Sequence, residues 1–281
     1  MIRRKLEENF FRILMVLATI VVAGSFFLIV GTIFYKGVPF MSWDMISKIP
    51  GGGFYIGKEG GVLNAIVGSM YVAGGATVLG LLISIPVAIY MNMYLSGNNL
   101  IVNSLRIIFD VLFGIPSIVY GAFGFLIMVY FGIRASLLGG ILAVTLLVIP
   151  ILVRTLDEVM QTVPKELRDA SLSLGATRWE MSKVILRQIR PGIFTAILLS
   201  FGRAIGDVAS VLFTAGFSDN IPTSLHQPAA TLPLAIFFQL SSPVEEVQGR
   251  AYASALILTI VVLIITVLSS VLSKRFSKHI K

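Results

Sequence analysis

Long apolar runs separated by short polar ones set the pattern of this chain. Ile13–Tyr35, Val62–Leu105, Ile107–Ile133, Ala135–Val153, Pro191–Gly216 and Ala251–Ser273 are nearly free of charge. Only Asp110 interrupts the third run, and only Arg203 and Asp207 interrupt the fifth. A helix needs about 20 apolar residues to cross a bilayer. The pattern therefore predicts an all-α polytopic membrane protein with about six spans. Val62–Leu105 is too long for one span and is expected to hold one helix and a short loop around Ser96–Asn99. Ala229–Leu240 is expected to add an apolar or re-entrant stretch. Phe10–Tyr35 reads as a peripheral first span: it is longer than a signal-peptide core and no small-x-small cleavage site closes it.

Composition agrees with this reading. The chain is 56% hydrophobic and 13% charged, with a mean hydropathy of +0.92, whereas soluble domains carry about 25% charged residues. Lys and Arg in the connecting segments set the orientation. With both termini cytoplasmic, the inside receives the N-terminal cluster Arg3, Arg4, Lys5 and Arg12, then Arg106, seven cations between Arg154 and Arg190, and the tail from Lys274. The outside receives only Lys36, Lys48, Lys58, Arg134 and Arg250. The net charge of +8 is thus an orientation signal and calls for no nucleic acid. The expected location is the cytoplasmic membrane, multi-pass. With no cysteine, disulfides and thiolate metal sites are excluded, while the redox compartment stays unread.

The segment Gly51-Gly52-Gly53 to Gly57-Lys58-Glu59-Gly60-Gly61 invites a phosphate-cradle reading. It lacks the G-x-x-x-x-G-K-[ST] spacing, lies on the outside, and reads as a flexible loop. No Walker-type motif occurs elsewhere, so any driving ATPase is a separate chain. Pro86, Pro116 and Pro150 fall within or at the ends of apolar runs. Each frees a carbonyl that a neighbour or a water-filled cavity must satisfy. Phe113-Gly114-Ile115-Pro116-Ser117 is either a packing kink or an irregularity lining a pathway.

Twelve of the 36 charged residues lie between Arg154 and Arg190. Pro164 suits the first turn of a helix, and Leu167, Ala170, Ser171 and Leu174 follow at helical spacing on one side. Glu166, Arg168 and Asp169 are polar neighbours available to solvent or a partner. Gly175 supplies a C-terminal stop. Thr177-Arg178-Trp179-Glu180 is a capping box that opens a second helix running to Pro191. A helix–glycine–helix hairpin at the membrane face is expected. On residue pattern alone it could be a solvated connector.

Arg203 and Asp207 are expected at i and i+4 on one face of the fifth span, framed by Gly202 and Gly206. Ionisable groups at bilayer depth are costly and point to function. The glycines form a small-x-x-x-small pattern that admits a close helix. Asp110, expected to reach the interface or pair with Arg106, and His226, without a second ligand, are weaker candidates. An intramembrane enzyme would need paired His and carboxylates at depth. Both histidines lie outside the spans, and no catalytic or metal-binding set emerges.

The order Asp169-Ala170-Ser171, Gly175, Ile185 resembles the E-A-A-x3-G-x9-I-x-L-P loop of ABC importer permeases. Asp169 shortens the glutamate, and Arg187-Gln188 replace Leu-Pro. Ile85-Pro86-Val87-Ala88-Ile89-Tyr90, Gly114-Ile115-Pro116-Ser117-Ile118-Val119-Tyr120-Gly121, Val163 to Ala170, and Gly202-Arg203-Ala204-Ile205-Gly206-Asp207 extend the resemblance over about Val62–Phe276. Within that family it is nearest to the permease subunits of bacterial phosphate importers. Asn92 replaces an acidic residue often found in the group.

The resemblance implies the type I importer permease fold, with residues 1–61 as peripheral span and external loop. Residues 62–276 would form the transport core containing coupling loop 154–190, and 277–281 a cytoplasmic tail. It implies that Pro164, Glu166, Arg168, Asp169, Ala170 and Gly175 serve ATPase coupling. Arg203 and Asp207 would belong to a phosphate pathway, either touching the anion or working as a structural or gating pair, with Gly202, Gly206, Pro116 and Ser117 packing nearby. Implied partners are a second related permease, two cytoplasmic ATPase subunits that hold ATP and Mg, an external phosphate-binding protein and membrane lipid. This chain itself would bind no cofactor. A permease for sulfate, molybdate or another solute, and a channel or carrier without ATP, remain as alternatives; the coupling loop argues against the last.

Overall fold

The computed structural model describes residues 2–51, 59–95 and 99–277. Of the expected loop around Ser96–Asn99, Ser96 to Asn98 lie outside the described residues and Asn99 opens a helix; most of the glycine loop, Gly52 to Lys58, and the tail from Lys278 also lie outside them. Among the described residues the elements are helical: α1 (Ile2–Gly37), α2 (Trp43–Ser47), α3 (Leu63–Ile89), α4 (Asn99–Gly114), α5 (Ser117–Tyr130), α6 (Leu137–Gln161), α7 (Lys165–Ser173), α8 (Arg178–Gln188), α9 (Arg190–Ile205), α10 (Leu232–Leu240) and α11 (Glu245–Ser277). A five-residue π-helical turn, Tyr90–Tyr94, continues α3.

α3 and α6 pack lengthwise at the centre, α9 and α11 flank them, and α4 and α5 cover the other side of α6. Their contact is a continuous cluster running from Val72, Ala73 and Ala76 through Val144, Val148 and Leu152 to Leu156 and Met160. α1 lies outside, touching the bundle mainly along α11, and its apolar residues remain exposed. That is the peripheral first span the pattern predicts.

The six expected spans become four long apolar helices and two bent pairs. α4 and α5 meet at 94° and α8 and α9 at 69°. The third apolar run is therefore a broken element. Proline has no N–H to give to the carbonyl four residues back, and for Pro116 that carbonyl belongs to Leu112. The Tyr120 hydroxyl donates to Leu112 O at 2.7 Å, and Ile115 N donates to it at 3.1 Å. The break is thus satisfied from inside the fold, as a non-aqueous setting demands.

The fifth run is also not one helix. α9 stops at Ile205 with Gly206 as its cap, and, after two irregular residues, residues 209–215 form successive turns. This segment is held by backbone bonds: Ser136 N to Thr214 O at 2.9 Å and Ala229 N to Ala215 O at 2.9 Å. A Cβ on Gly121 of α5 would collide with the backbone of Ala209 and Ser210, so the small residue permits close seating. At the start of α6, Leu137 N and Leu138 N donate to Gln227 O and Leu225 O at 2.7 and 2.9 Å. These satisfy amides that a helix start leaves without intrahelical partners.

The stretch at Ala229–Leu240 contains a short helix, α10, buried over its first half and exposed at Phe237, Phe238 and Leu240. Its first amide, Leu232 N, donates to the buried Ser69 hydroxyl of α3 at 2.8 Å, an arrangement suited to a re-entrant segment.

Replacing Tyr120 by Phe is expected to lower stability by about 1 kcal/mol, the scale of a lost net hydrogen bond. Thermal denaturation of the purified protein in detergent checks this; an unchanged midpoint would show that Ile115 N alone satisfies the break.

Candidate functional site

One end of the bundle gathers the close of α3, the start of α4, the close of α6 and the α7–α8 hairpin. The hairpin follows local rules. α7 spans Lys165–Ser173 with Pro164 just outside it, and Gly175 takes the left-handed φ of +80° that L-residues with a Cβ avoid. Thr177 and Glu180 make both bonds of the capping box. Hydrogen bonds from Thr177, first from its backbone N–H and then from its hydroxyl, hold the Glu180 carboxyl below its ordinary pKa. α8 ends at Gln188 rather than at Pro191, because the chain turns at Ile189 and Pro191 opens the next helix.

The expected apolar stripe on α7 divides. Leu167 and Ser171 are partly buried, while Ala170 is exposed and Leu174 is 88% exposed. Trp179 and Leu172 are exposed beside them. Glu166 and Asp169 are exposed too, so α7 offers a mixed apolar and acidic outer surface. Arg168, expected to be available to a partner, instead turns inward. It donates to Met160 O at 2.8 Å and to Asn92 O at 3.4 Å. Desolvation lowers its pKa from the ordinary guanidinium value, although a guanidinium keeps its proton in proteins. Arg178 of α8 similarly donates to Tyr94 O at 3.3 Å. Both halves of the hairpin are thus tied to carbonyls of the π-helical turn, where an irregular helix end leaves acceptors for basic side chains.

Beneath the hairpin lies a constellation that the sequence pattern did not disclose. Asp157 of α6 is 1% exposed. Arg106 reaches it with Nε at 2.8 Å and a second nitrogen at 3.0 Å. Asn92 Nδ2 adds 2.8 Å, Gln161 Nε2 adds 2.7 Å, and Arg154 stands 3.8 Å away. Asp110 does not pair with Arg106. It meets Arg154 at 3.1 Å, because Arg106 is already committed to Asp157. The only local signal was the i, i+4 spacing of Asp157 and Gln161 near the end of an apolar run. Nothing local could pair Asp157 with Arg106, fifty-one positions away.

The second candidate region lies at the other end of α9. Arg203 is 51% exposed and Asp207 3%, with their closest charged atoms 4.0 Å apart. They do not share a helix face, since Asp207 lies beyond the end of α9. The Asp207 carboxylate accepts from Ser210 N at 2.8 Å and from the Ser210 hydroxyl; it caps the following turn. Among the described residues Gly202 has no neighbouring atom where a Cβ would project, so none of them makes the expected close helix approach there. Pro116 and Ser117 start α5, and Gly121 of the same helix touches the turn that Asp207 caps. His226 is exposed in the long connection before α10.

Residues 80–281 match the model of the family described as binding-protein-dependent transport system inner membrane component. The chain is 34% identical over 279 residues to a phosphate transport system permease protein PstA of Pasteurella multocida, covering 98% of this chain and 97% of that protein. A Xylella fastidiosa PstA is 36% identical over 84% of this chain and 81% of its own length. A Yersinia pestis PstA is 37% identical over 78% and 74%. Among solved structures, one described as inward-facing conformations of the MetNI methionine ABC transporter superposes with a TM-score of 0.59. It covers 76% of this chain and 95% of that chain at 17% identity, which establishes a shared importer-permease fold.

Asp157→Asn is expected to destabilise the protein by about 3 kcal/mol, since it leaves a partly buried arginine pair without its carboxylate. Asp110→Asn, at an exposed pair, is expected to cost under about 1 kcal/mol. Parallel thermal melts test the contrast; equal shifts would refute the central role of Asp157.

Proposed function

Because the chain belongs to the family of binding-protein-dependent transport system inner membrane components, and within it to the PstA permeases, we propose that it is the membrane permease subunit of an ATP-driven phosphate importer. The observation that carries this reading is its 34% identity to a PstA over 98% of the chain. In this reading it pairs with a second, related permease around a central pathway. Two cytoplasmic ATPase subunits holding ATP and Mg and an external phosphate-binding protein complete the assembly. Both termini and the α7–α8 hairpin face the cytoplasm, in keeping with the positive bias of that end.

The exposed outer surface of α7, with Ala170 and Leu174, docks into the ATPase. ATP-linked movement of that helix passes through Arg168 and Arg178 to the turn Tyr90–Tyr94, and through the Asp157 cluster to α4 and α6. No covalent step occurs on this chain, and nucleotide is held by the partner.

Arg203 is the residue we assign to the anion. Its planar guanidinium presents forked, permanently charged donors to phosphate oxygens. The 4.0 Å separation from Asp207 leaves it loosely paired, while Asp207 is engaged by Ser210. A weak, transient contact suits a pathway because tight binding would trap the ion. Gly202, bare on its outer side, leaves room for the ion or for the second permease.

Phosphate uptake by the complete complex in proteoliposomes, with ATP inside and sulfate as competitor, tests the substrate. Competition by sulfate at equal concentration would refute phosphate selectivity. Arg203→Lys is expected to preserve assembly and to lower uptake about tenfold by removing the bidentate fork; unchanged uptake would sink direct contact. Leu174→Glu is expected to weaken ATPase retention more than about tenfold, since it removes a leucine that docking would bury and adds a charge. Full retention in a pull-down would move the docking surface elsewhere.

A further inference from the structure

Between α7 and the start of α4 lies a pocket of 360 Å³ whose polar walls are Asn92, Asn103, Arg106, Gln161, Lys165 and Arg168. Its charges do not balance. Arg106 is answered by Asp157, but among the described residues neither Lys165 nor Arg168 has a carboxylate within 4 Å. Among the described residues Arg168 donates only to main-chain carbonyls, and its buried Nε has no partner. Two cations thus border one polar cavity, one of them half-desolvated with an unsatisfied donor. A buried donor left unpaired is costly, and forked guanidinium with ammonium is the donor set that phosphate oxygens match.

We infer that this pocket binds a phosphate-bearing anion at the cytoplasmic face, separate from the transport pathway at Arg203. The ligand group is either the phosphodiester of an anionic lipid or free inorganic phosphate. The pocket stands at the end of the bundle proposed to face the cytoplasm, where basic pockets between spans take lipid headgroups. Exposed Leu100, Ile107, Ile108 and Val111 on α4 give acyl chains an apolar track beside it. Free phosphate arriving from the cytoplasm would meet the same donors. Either occupant would bridge α4 to the coupling helix through Lys165 and Arg168, and so bias the position of α7. The binding itself does not depend on the transport reading.

The test uses the complete complex, without ATP, in nanodiscs of phosphatidylcholine. Lys165 is labelled with an amine-reactive probe and quantified by mass spectrometry, with Lys183 of α8 as internal control. Phosphatidylglycerol is added to the bilayer in one arm and inorganic phosphate to the solution in the other. Occupancy is expected to slow labelling of Lys165 about fivefold, the scale of one cation–anion contact at a membrane surface, leaving Lys183 unchanged. Protection by phosphatidylglycerol alone identifies a lipid headgroup; protection by phosphate alone identifies the free ion. Arg168→Gln is expected to abolish protection. Asn103→Glu, which adds a negative charge to the pocket wall without touching α7, is expected to do the same in a folded protein. No protection in either arm, equal protection of Lys183, or protection that survives Asn103→Glu overturns the inference.

Discussion

A carboxylate sealed from water at the end of a membrane bundle sets the terms for everything around it. An unpaired Asp157 at that depth would carry a desolvation cost of several kcal/mol, so its neighbours are not optional. Arg106 from α4, Asn92 from the turn closing α3, and Gln161 and Arg154 from its own helix converge on its two oxygens. Three elements are thereby held in register at a single point. The α7–α8 hairpin is fastened to that point, since Arg168 and Arg178 bind carbonyls of the same turn that carries Asn92. These charge-assisted bonds link the outer surface of the hairpin to the spans, which is what the proposed docking of an ATPase there would require.

The rest of the fold shows how a membrane protein can contain irregular backbone. Every break needs internal hydrogen bonds, because lipid supplies none. Tyr120 serves the carbonyl exposed by Pro116, Ser69 serves the first amide of α10, and the segment after Gly206 is bound to α6 and to the stretch before α10. The last of these follows directly on the end of α9, where Arg203 stands half exposed. Departure from regular helix and the proposed ion contact thus occupy one region. The close seating of Gly121 against Ala209 and Ser210 fixes the turn that carries Asp207, and so the distance from which that acid influences Arg203.

Reading the residues in order recovered much of this architecture. Apolar run length marked the peripheral first helix, the central spans and the short α10. The hairpin was legible almost residue by residue, because capping boxes, left-handed glycines and proline starts act within four positions of the chain. The Arg203 and Asp207 region was found but misdrawn. Apolar continuity from Pro191 to Gly216 implied one helix, and the competing interaction between Asp207 and Ser210 is equally local but outside hydrophobic periodicity.

The unbroken apolar helices, charge bias, hairpin and family motifs were therefore set by local chemistry and periodicity, which need no knowledge of where distant segments lie. Which arginine answers Asp157, why Asp110 turns to Arg154, why Arg168 faces inward and why Gly202 faces open space were decided by folding. Each is a competition for one partner among several of equal chemistry. Arg106 and Arg154 could both satisfy either acid on composition alone. Only the approach of α4 to α6, and the burial of one acid with exposure of the other, selects between them.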